Sequence, residues 1–435
     1  MNPAIDHPQA IELESISRIP DRKDTIVDMV HQDLCIGREM RTTGARGMSA
    51  EQVLRAAIIK QMSGFSYELL PFHLADSVSL RRFCRIGIAD KCFKKSAIAK
   101  NIKRISANTW EQISATLVAY GNQEKIEKGR QVRIDCTVVE SNIHAPSDST
   151  LLYDSVRVPA RILGRIRKQG AGIHFTDHSR RAKRRMLAVQ YARNKKQRTA
   201  AYRDLLKVAG KTVGYATAAI PLVRRMAIVE AFIFCTQLQE YIDLASKVIG
   251  QTGRRVLKGE KVPASEKVVS IFEPHTDIIV KDRRDTCYGH KVCLCAGRSN
   301  LITDCLITKG NPADTDLSTI MPDRQKDVYG RYPLKVALDG GFASRDNLAE
   351  ARSRHIKDVC FARKRGLTVE DMCRSQWVYN RLRRFRAGVE SVISRIKRSF
   401  GFNRCMWKGQ RSFKSYVWLS IVTANLITLA REKPA

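Results

Sequence analysis

Acidic residues are scarce beside basic ones. The chain's 435 residues include 43 Asp and Glu against 77 Lys and Arg, a formal net charge of +34. Such an excess strains a compact fold by self-repulsion unless a polyanion neutralises it, so nucleic acid is the favoured partner and binding should weaken steeply with salt. A basic membrane-surface protein is the rival class. It is disfavoured because the cations are spread through the chain instead of being gathered on one amphipathic helix. Cys-x2-Cys pairs are also missing. The twelve cysteines are scattered, and the closest two, Cys293 and Cys295, alternate along one strand, which argues against a zinc site and for free thiols in a reducing cytoplasm. Residues 1–20 are polar and acidic and lack a secretory signal. The apolar segment SFKSYVWLSIVTANLITLA is interrupted by Lys414, Ser420, Thr423 and Asn425, and reads as a docking helix packed on a sheet, not a membrane span.

What is present is chain enough for two or three domains and three acids in unusual settings. In QVRIDCTVVESN, residues alternate with the period of a strand, and Asp135 falls in mid-strand, where an acid is unfavourable and costly if buried unpaired. In LKVALDGGFAS, Asp339 ends an apolar run before Gly340 and Gly341. Ser344 with Asn347 then offers a helix start, so Asp339 lies where a strand turns into a helix. Open α/β sheets place their sites at that end of a strand. In RRFRAGVESVISRIKRSFG, Arg386, Glu390 and Lys397 share one helical face beside an apolar stripe of Val389, Val392 and Ile396. A solvated charged face has the same pattern. Three carboxylates suit hard divalent cations, which take a few carboxylates together with water and phosphate oxygens.

These stretches carry a family resemblance. RIDCTVVESNIHAPSDSTLLYDSVR, CYGHKVCLCAG, ITKGNPADTD, VALDGGFAS and FRAGVESVISRIKRSFGFNRCMWKG resemble the DDE transposases of bacterial insertion sequences, most closely the ISNCY branch, from about residue 50 to about 430. The resemblance implies Asp135, Asp339 and Glu390 as the catalytic, metal-holding acids, with two Mg2+ (or Mn2+) ions as cofactor. Arg386, Glu390 and Lys397 fit the R-x3-E-x6-K part of the family's Y-R-E-K signature, and Arg383 stands where its tyrosine would fall. The fold it implies is α/β: an RNase H-like mixed sheet flanked by helices, with a helical N-terminal domain and a basic helical insertion between the first two strands. The expected division is 1–125 for the N-terminal DNA-binding domain, 126–155 with 265–432 for the catalytic domain, and 156–264 for the insertion.

Read in order, Ser49 with Gln52 forms a capping box for the helix AEQVLRAAIIKQMSG, and Thr109 with Gln112 is expected to cap TWEQISATLVAYG. Between them Lys100, Lys103 and Arg104 form a basic outer face, fitting either a helix-turn-helix DNA reader or a bundle that only packs. Asp148 and Asp154 lie among Ser and Pro residues and read as capping or turn acids instead of metal ligands. From Arg157 to Lys211 there are 17 Lys or Arg, among them Arg180, Arg181, Lys183, Arg184 and Arg185, which suits a helical grip on DNA phosphates better than a solvated linker. Helical spacing then continues from Leu222 to Gly250. Lys291 to Cys295 and Leu301 to Thr308 read as a hairpin that completes a three-stranded meander with the Asp135 strand.

The expected function is binding of an element's terminal inverted repeats, followed by metal-dependent strand cleavage and strand transfer. The protein would work as a homodimer on double-stranded DNA, in the cytoplasm with the nucleoid and away from membranes. A catalytically silent DNA-binding derivative and a metal-dependent nuclease without strand transfer are the alternatives.

Overall fold

The structure is a computed structural model that describes residues 7–37, 47–281 and 285–432. Contacts divide the chain into two compact units, one running to Glu140 and resuming at His290, the other spanning Ser141–Gly289. The first unit begins with α1 (Pro8–Asp21), α2 (Asp24–Cys35), α3 (Ala50–Ser63), α4 (Leu69–Asp76), α5 (Val78–Phe83), α6 (Lys95–Ile102) and α7 (Ala107–Gln123). The capping box of α3 forms as its sequence predicts: the Gln52 amide N–H donates to Ser49 Oγ and the Ser49 N–H to Gln52 Oε1, and a left-handed Gly64 closes the helix. The cap of α7 falls earlier than expected. Ser106 accepts from the Thr109 N–H, and Thr109 itself is buried inside the first turn.

Ile58, Ile102, Trp110 and Leu117 are buried in the same core as Val139, Val292, Ile302 and Val392. The chain then enters β1 (Gln131–Glu140), a strand as expected, but its burial does not alternate: Val132–Ile134 and Thr137–Val139 are buried on either side of half-buried Asp135 and Cys136, because the strand is covered on both faces.

The second unit is mainly helical: α8 (Asp148–Lys168), α9 (Ser179–Gln190), α10 (Lys195–Arg224) and α11 (Ala231–Thr252) pack around Leu152, Leu163, Leu205, Phe234 and Leu238. It is wider than the 156–264 expected, because α8 starts at Asp148 and β2 (Asp277–Lys281) pairs antiparallel with the first residues of β3 (Asp285–Ala296). The helical spacing from 222 to 250 is divided between two helices. Residues 225–230 turn the chain so that Phe234 and Leu238 share a core with Ile220 and Val223 of α10. Apolar residues recur at helical spacing through the linker as well, Met226 and Ile228 among them, so periodicity cannot reveal the break.

Back in the first unit, β3 pairs antiparallel with β4 (Ile302–Ile307), Cys293 opposite Leu306. Then come α12 (Asp314–Tyr329), β5 (Lys335–Leu338), α13 (Arg345–Ser353), β6 (Asp358–Phe361), α14 (Val369–Met372), α15 (Gln376–Ser399) and α16 (Gln410–Glu432). The strands run β4-β3-β1-β5-β6, with β1, β5 and β6 mutually parallel, and β2 continues the edge beside β3. This is the mixed, helix-flanked sheet expected of an RNase H-like fold. Among the parallel strands β5 and β6 are short and largely apolar, with a helical connection between them as parallel pairing requires.

The last helix, α16, is long and apolar enough to cross a membrane, and it is buried inside the fold. It packs against α1, α3, α7 and β4, supplying the apolar surface on which the N-terminal helices close. Asn425 is one of the polar residues that argue against a span, and it is fully buried. Its amide oxygen accepts from the Ile302 N–H (2.9 Å) and its amide N–H donates to the Ile302 carbonyl (2.8 Å), extending the ladder at the edge of β4.

Candidate active site

Three elements of the first unit bring the expected acids together. Ile134 lies opposite Leu338 across the parallel β1/β5 pair, so Asp135 and Asp339 follow at the same level. Asp339 directly ends β5, and the backbone turns at once into a single helical turn over Gly340–Phe342. Space requires both glycines there. A Cβ at Gly340 would strike the Arg363 side chain, and one at Gly341 would strike the Asp314 carboxylate.

The third acid arrives on α15, capped by Ser375, whose hydroxyl accepts from the Val378 N–H. Val389, Val392 and Ile396 are buried along one stripe, as their spacing predicts, and Glu390 stands beside them on the exposed side. Close approach of this helix to β1 depends on Gly388. Arg133, buried in β1, reaches beneath the helix, donates to the Phe385 carbonyl (3.0 Å) and to the Asn300 amide oxygen, and stacks on the Phe385 ring. A Cβ at Gly388 would collide with its guanidinium.

The acids meet at one cation. Arg386 Nη2 lies 3.2 Å from Asp135 Oδ2 and 3.2 Å from Asp339 Oδ1, and Nη1 lies 2.7 Å from Glu390 Oε1. Its Nε is buried without a hydrogen-bond partner. Asp135 is the most enclosed of the three acids, its side chain 16% exposed against 42% for Asp339 and 64% for Glu390. Burial pushes its carboxyl up to about 6, with Asp339 and Asp314 adding repulsion, and against the lowering effect of Arg386 and of the Cys136 N–H that donates to Oδ1.

Sequence reasoning missed Asp314. It opens α12 within electrostatic reach of Asp135, and Lys291 of β3 donates to it (2.9 Å) and to the Pro312 carbonyl (2.6 Å). The signal was present in ITKGNPADTD, but nothing local separates an acid at a helix start that caps from one that faces a site.

The other expected residues are placed apart from this cluster. Lys397 is half-buried two turns along α15, and Arg383 is exposed one turn before Arg386. Lys100 and Lys103 are exposed at the end of α6, while Arg104 donates to the Ile36 carbonyl. On α9, Arg181 and Arg185 pair with Asp204 of α10, whereas Arg180, Lys183 and Arg184 are exposed, with no carboxylate partner among the described residues. Asp154 pairs with Arg157 of the same helix (2.7 Å), whereas Asp148, in the first turn of α8, pairs with Arg255, 107 residues away (3.0 Å).

A sheet in this strand order, with acids on its first strand, at the end of the neighbouring parallel strand and on a following helix, defines an RNase H-like protein. Two families match the chain: a Transposase DDE domain over residues 278–426 and a Transposase domain (DUF772) over residues 7–104. The chain belongs to the DDE transposases of insertion sequences. The first match contains Asp339, Arg386 and Glu390 and begins after Asp135. No curated protein and no solved structure matches the chain.

Transposase DDE domains generally depend on divalent metal, and the donor set here fits such an ion in its chemistry: three hard carboxylates, one of them enclosed, gathered on a single positive charge. Among the described residues no three such side chains stand close enough together to hold an ion as placed, because the guanidinium of Arg386 lies between them.

Proposed function

We propose that this transposase binds the terminal inverted repeats of its element and catalyses metal-dependent strand cleavage and strand transfer, with Asp135, Asp339 and Glu390 as its catalytic acids. The observation that carries the reading is the convergence of these carboxylates, from positions remote in sequence, on the one guanidinium of Arg386. The acids would hold two Mg2+ or Mn2+ ions, which when bound supply activation of the attacking oxygen and stabilisation of the leaving one.

Water attacks the phosphorus at each transposon end and the P–O3′ bond breaks. The freed 3′-hydroxyl then attacks a target phosphodiester in line, forming a new P–O bond as the target's own P–O3′ bond breaks and its 3′ oxygen leaves as a hydroxyl, with no covalent enzyme intermediate. Asp135 and Asp339 would hold the ions against the end of the sheet, and Glu390 would close the site from α15. Arg386, freed from the acids, holds a phosphate oxygen by charge-assisted hydrogen bonds, and Lys397 binds the backbone further along the same helix. Arg180, Lys183 and Arg184 of the second unit, with Lys100 and Lys103 of the first, add phosphate contacts that carry the salt-dependent part of affinity. Because two ends must be processed together, the working form is a homodimer on DNA. The protein acts in the cytoplasm on nucleoid DNA.

The test is cleavage and joining of a DNA substrate carrying the element's ends, with a supercoiled target. Asp135→Ala, Asp339→Ala and Glu390→Ala are each expected to abolish cleavage and to leave DNA binding intact. Cleavage surviving in one variant would remove that residue from the triad. Ends that are cut but never joined would instead mark a nuclease, and wild-type protein that binds DNA without cutting would mark a silent derivative.

A further inference from the structure

A second built site lies in the first unit, away from the acids. A cavity of about 370 Å³ opens between α3, the loop after it, the end of α6 and the segment joining α15 to α16. This is within the size range of small-molecule sites, roughly 300–1,000 Å³. Its walls are aromatic: Phe65, Tyr67, Trp407 and Tyr416. Its cations are Lys60 and Lys103, whose ammonium groups lie 4.8 and 5.3 Å from the centre of the Tyr67 ring. Neither lysine has a carboxylate partner among the described residues. Burial, reinforced by the neighbouring Lys103, lowers the Lys60 ammonium to about 8, as expected of a cation held in place without its counter-ion.

Two buried donors on these walls, the Tyr67 hydroxyl and the Trp407 indole N–H, have no hydrogen-bond partner. Trp407 is 2% exposed, and an indole N–H so enclosed ordinarily finds an acceptor. The floor is rigid. Tyr416 donates to the Gly401 carbonyl (3.0 Å), Gln61 donates to the Phe400 carbonyl (2.6 Å), and a Cβ on Gly401 would strike the Tyr416 hydroxyl.

Paired cations beside aromatic walls match a ligand that joins a phosphate to a flat ring. Position relative to the acids identifies its source. The segment 401–407 follows α15 directly, eleven residues from Glu390, or roughly 15 Å at the helical rise. It is also tied to the end of the Asp135 strand, the Glu140 N–H donating to Asn403 O (3.0 Å) and the Cys405 N–H to Glu140 O (2.8 Å). At about 3.4 Å per nucleotide along one strand, that separation is roughly four or five nucleotides. We propose that this cavity takes a single unpaired DNA nucleotide near the reacting phosphate, its base against Phe65 and Tyr67 and its phosphate between Lys60 and Lys103. The inference rests on the reading of the chain as a DNA-cutting transposase.

The test compares three duplexes on the full chain: one fully paired, one with a single bulged thymidine, and one with an abasic bulge at the same place. The abasic duplex preserves the backbone distortion and removes only the ring. We expect the thymidine bulge to bind about tenfold tighter than the abasic one, the usual size of a base stacking on an aromatic side chain. We expect Tyr67→Leu to erase that difference, and Lys60→Gln combined with Lys103→Gln to weaken both bulged duplexes more than the paired one. Circular dichroism melts check that each variant is folded.

Free dTMP and inorganic phosphate are run as competitors. Equal binding of thymidine and abasic bulges by the wild type overturns the proposal. So does competition by phosphate as strong as that by dTMP, which would leave only an anion site. Tight dTMP binding without any preference among the duplexes would make the ligand a free nucleotide and also overturn it. Failure to bind even the paired duplex would instead sink the DNA-cutting reading itself.

Discussion

Arg386 and Asp135, 251 residues apart, stand 3.2 Å from each other, and the same guanidinium nitrogen lies equally close to Asp339. The positive charge of the side chain thus sits where the proposed ions would have to bind. Arg386→Gln is expected to raise the affinity of the DNA-free protein for Mn2+ by removing a competing cation, while lowering cleavage because a phosphate-binding group is lost. Calorimetric Mn2+ titration beside a cleavage assay checks the split. Weaker Mn2+ binding in the variant would mean that Arg386 organises the acids instead of competing with the metal.

Asp135 predicts a pH dependence of stability. Its folded carboxyl is pushed up to about 6 from an ordinary 3.8, chiefly by burial. The native state therefore keeps a proton that the unfolded chain has released, so this group costs stability above about pH 6 and costs nothing below about pH 4. Two units of difference amount to about 3 kcal/mol. Asp135→Asn is expected to raise the melting temperature of the metal-free protein at about pH 7.5 and to leave it nearly unchanged at about pH 4. A lower melting temperature at the higher pH would show that pairing with Arg386 outweighs the cost of burial.

Asp314 adds repulsion at Asp135 and is held by Lys291. Asp314→Asn is expected to move the acid limb of the cleavage–pH profile to lower pH without abolishing activity. An unmoved limb would show that the two carboxylates do not communicate.

Gly388 permits the helix to approach β1. Gly388→Ala would set a methyl group against the Arg133 guanidinium, which is held by Phe385 and Asn300 and has little freedom to retreat. We expect a loss of about 1–3 kcal/mol, the usual cost of overpacking, and a fall in cleavage larger than the fall in DNA affinity. Denaturant unfolding and the two assays measure these, and wild-type stability in the variant would show that α15 is not seated as described.

The basic residues of α9 divide into two classes. Arg180, Lys183 and Arg184 changed together to Ala are expected to flatten the slope of log affinity against log salt by roughly 2.7, about 0.9 per lost phosphate contact. Arg181→Ala with Arg185→Ala should act mainly on the folding of the second unit, by releasing Asp204. Equal effects of the two sets on the salt slope would remove the distinction.

Much of the site was legible along the chain because its clues are local. The alternation around Asp135, the Asp-Gly-Gly exit at Asp339, the Ser344 cap and the stripe beside Glu390 each lie within one element, and each element formed as read. The misreadings arose where local pattern is degenerate. Ser106 and Thr109 both make good caps, and burial of Thr109 decided between them. The spacing from 222 to 250 fits one helix or two, and the packing of α10 against α11 decided that. The apolar C-terminal segment belongs to the core because Asn425 finds both backbone groups of Ile302, a partnership across 123 residues.

The order of residues by itself determined the charge that demands a polyanion, the periods that make strands and helices, and which acids stand at strand ends, since each depends on neighbours within a few positions. Only the tertiary structure decided that three acids share one guanidinium, that Asp314 joins them, and that two lysines meet four aromatic rings around a cavity. Those relations depend on strand order and helix docking, which are set by burial of apolar surface across the whole chain and leave no trace in any single stretch of it.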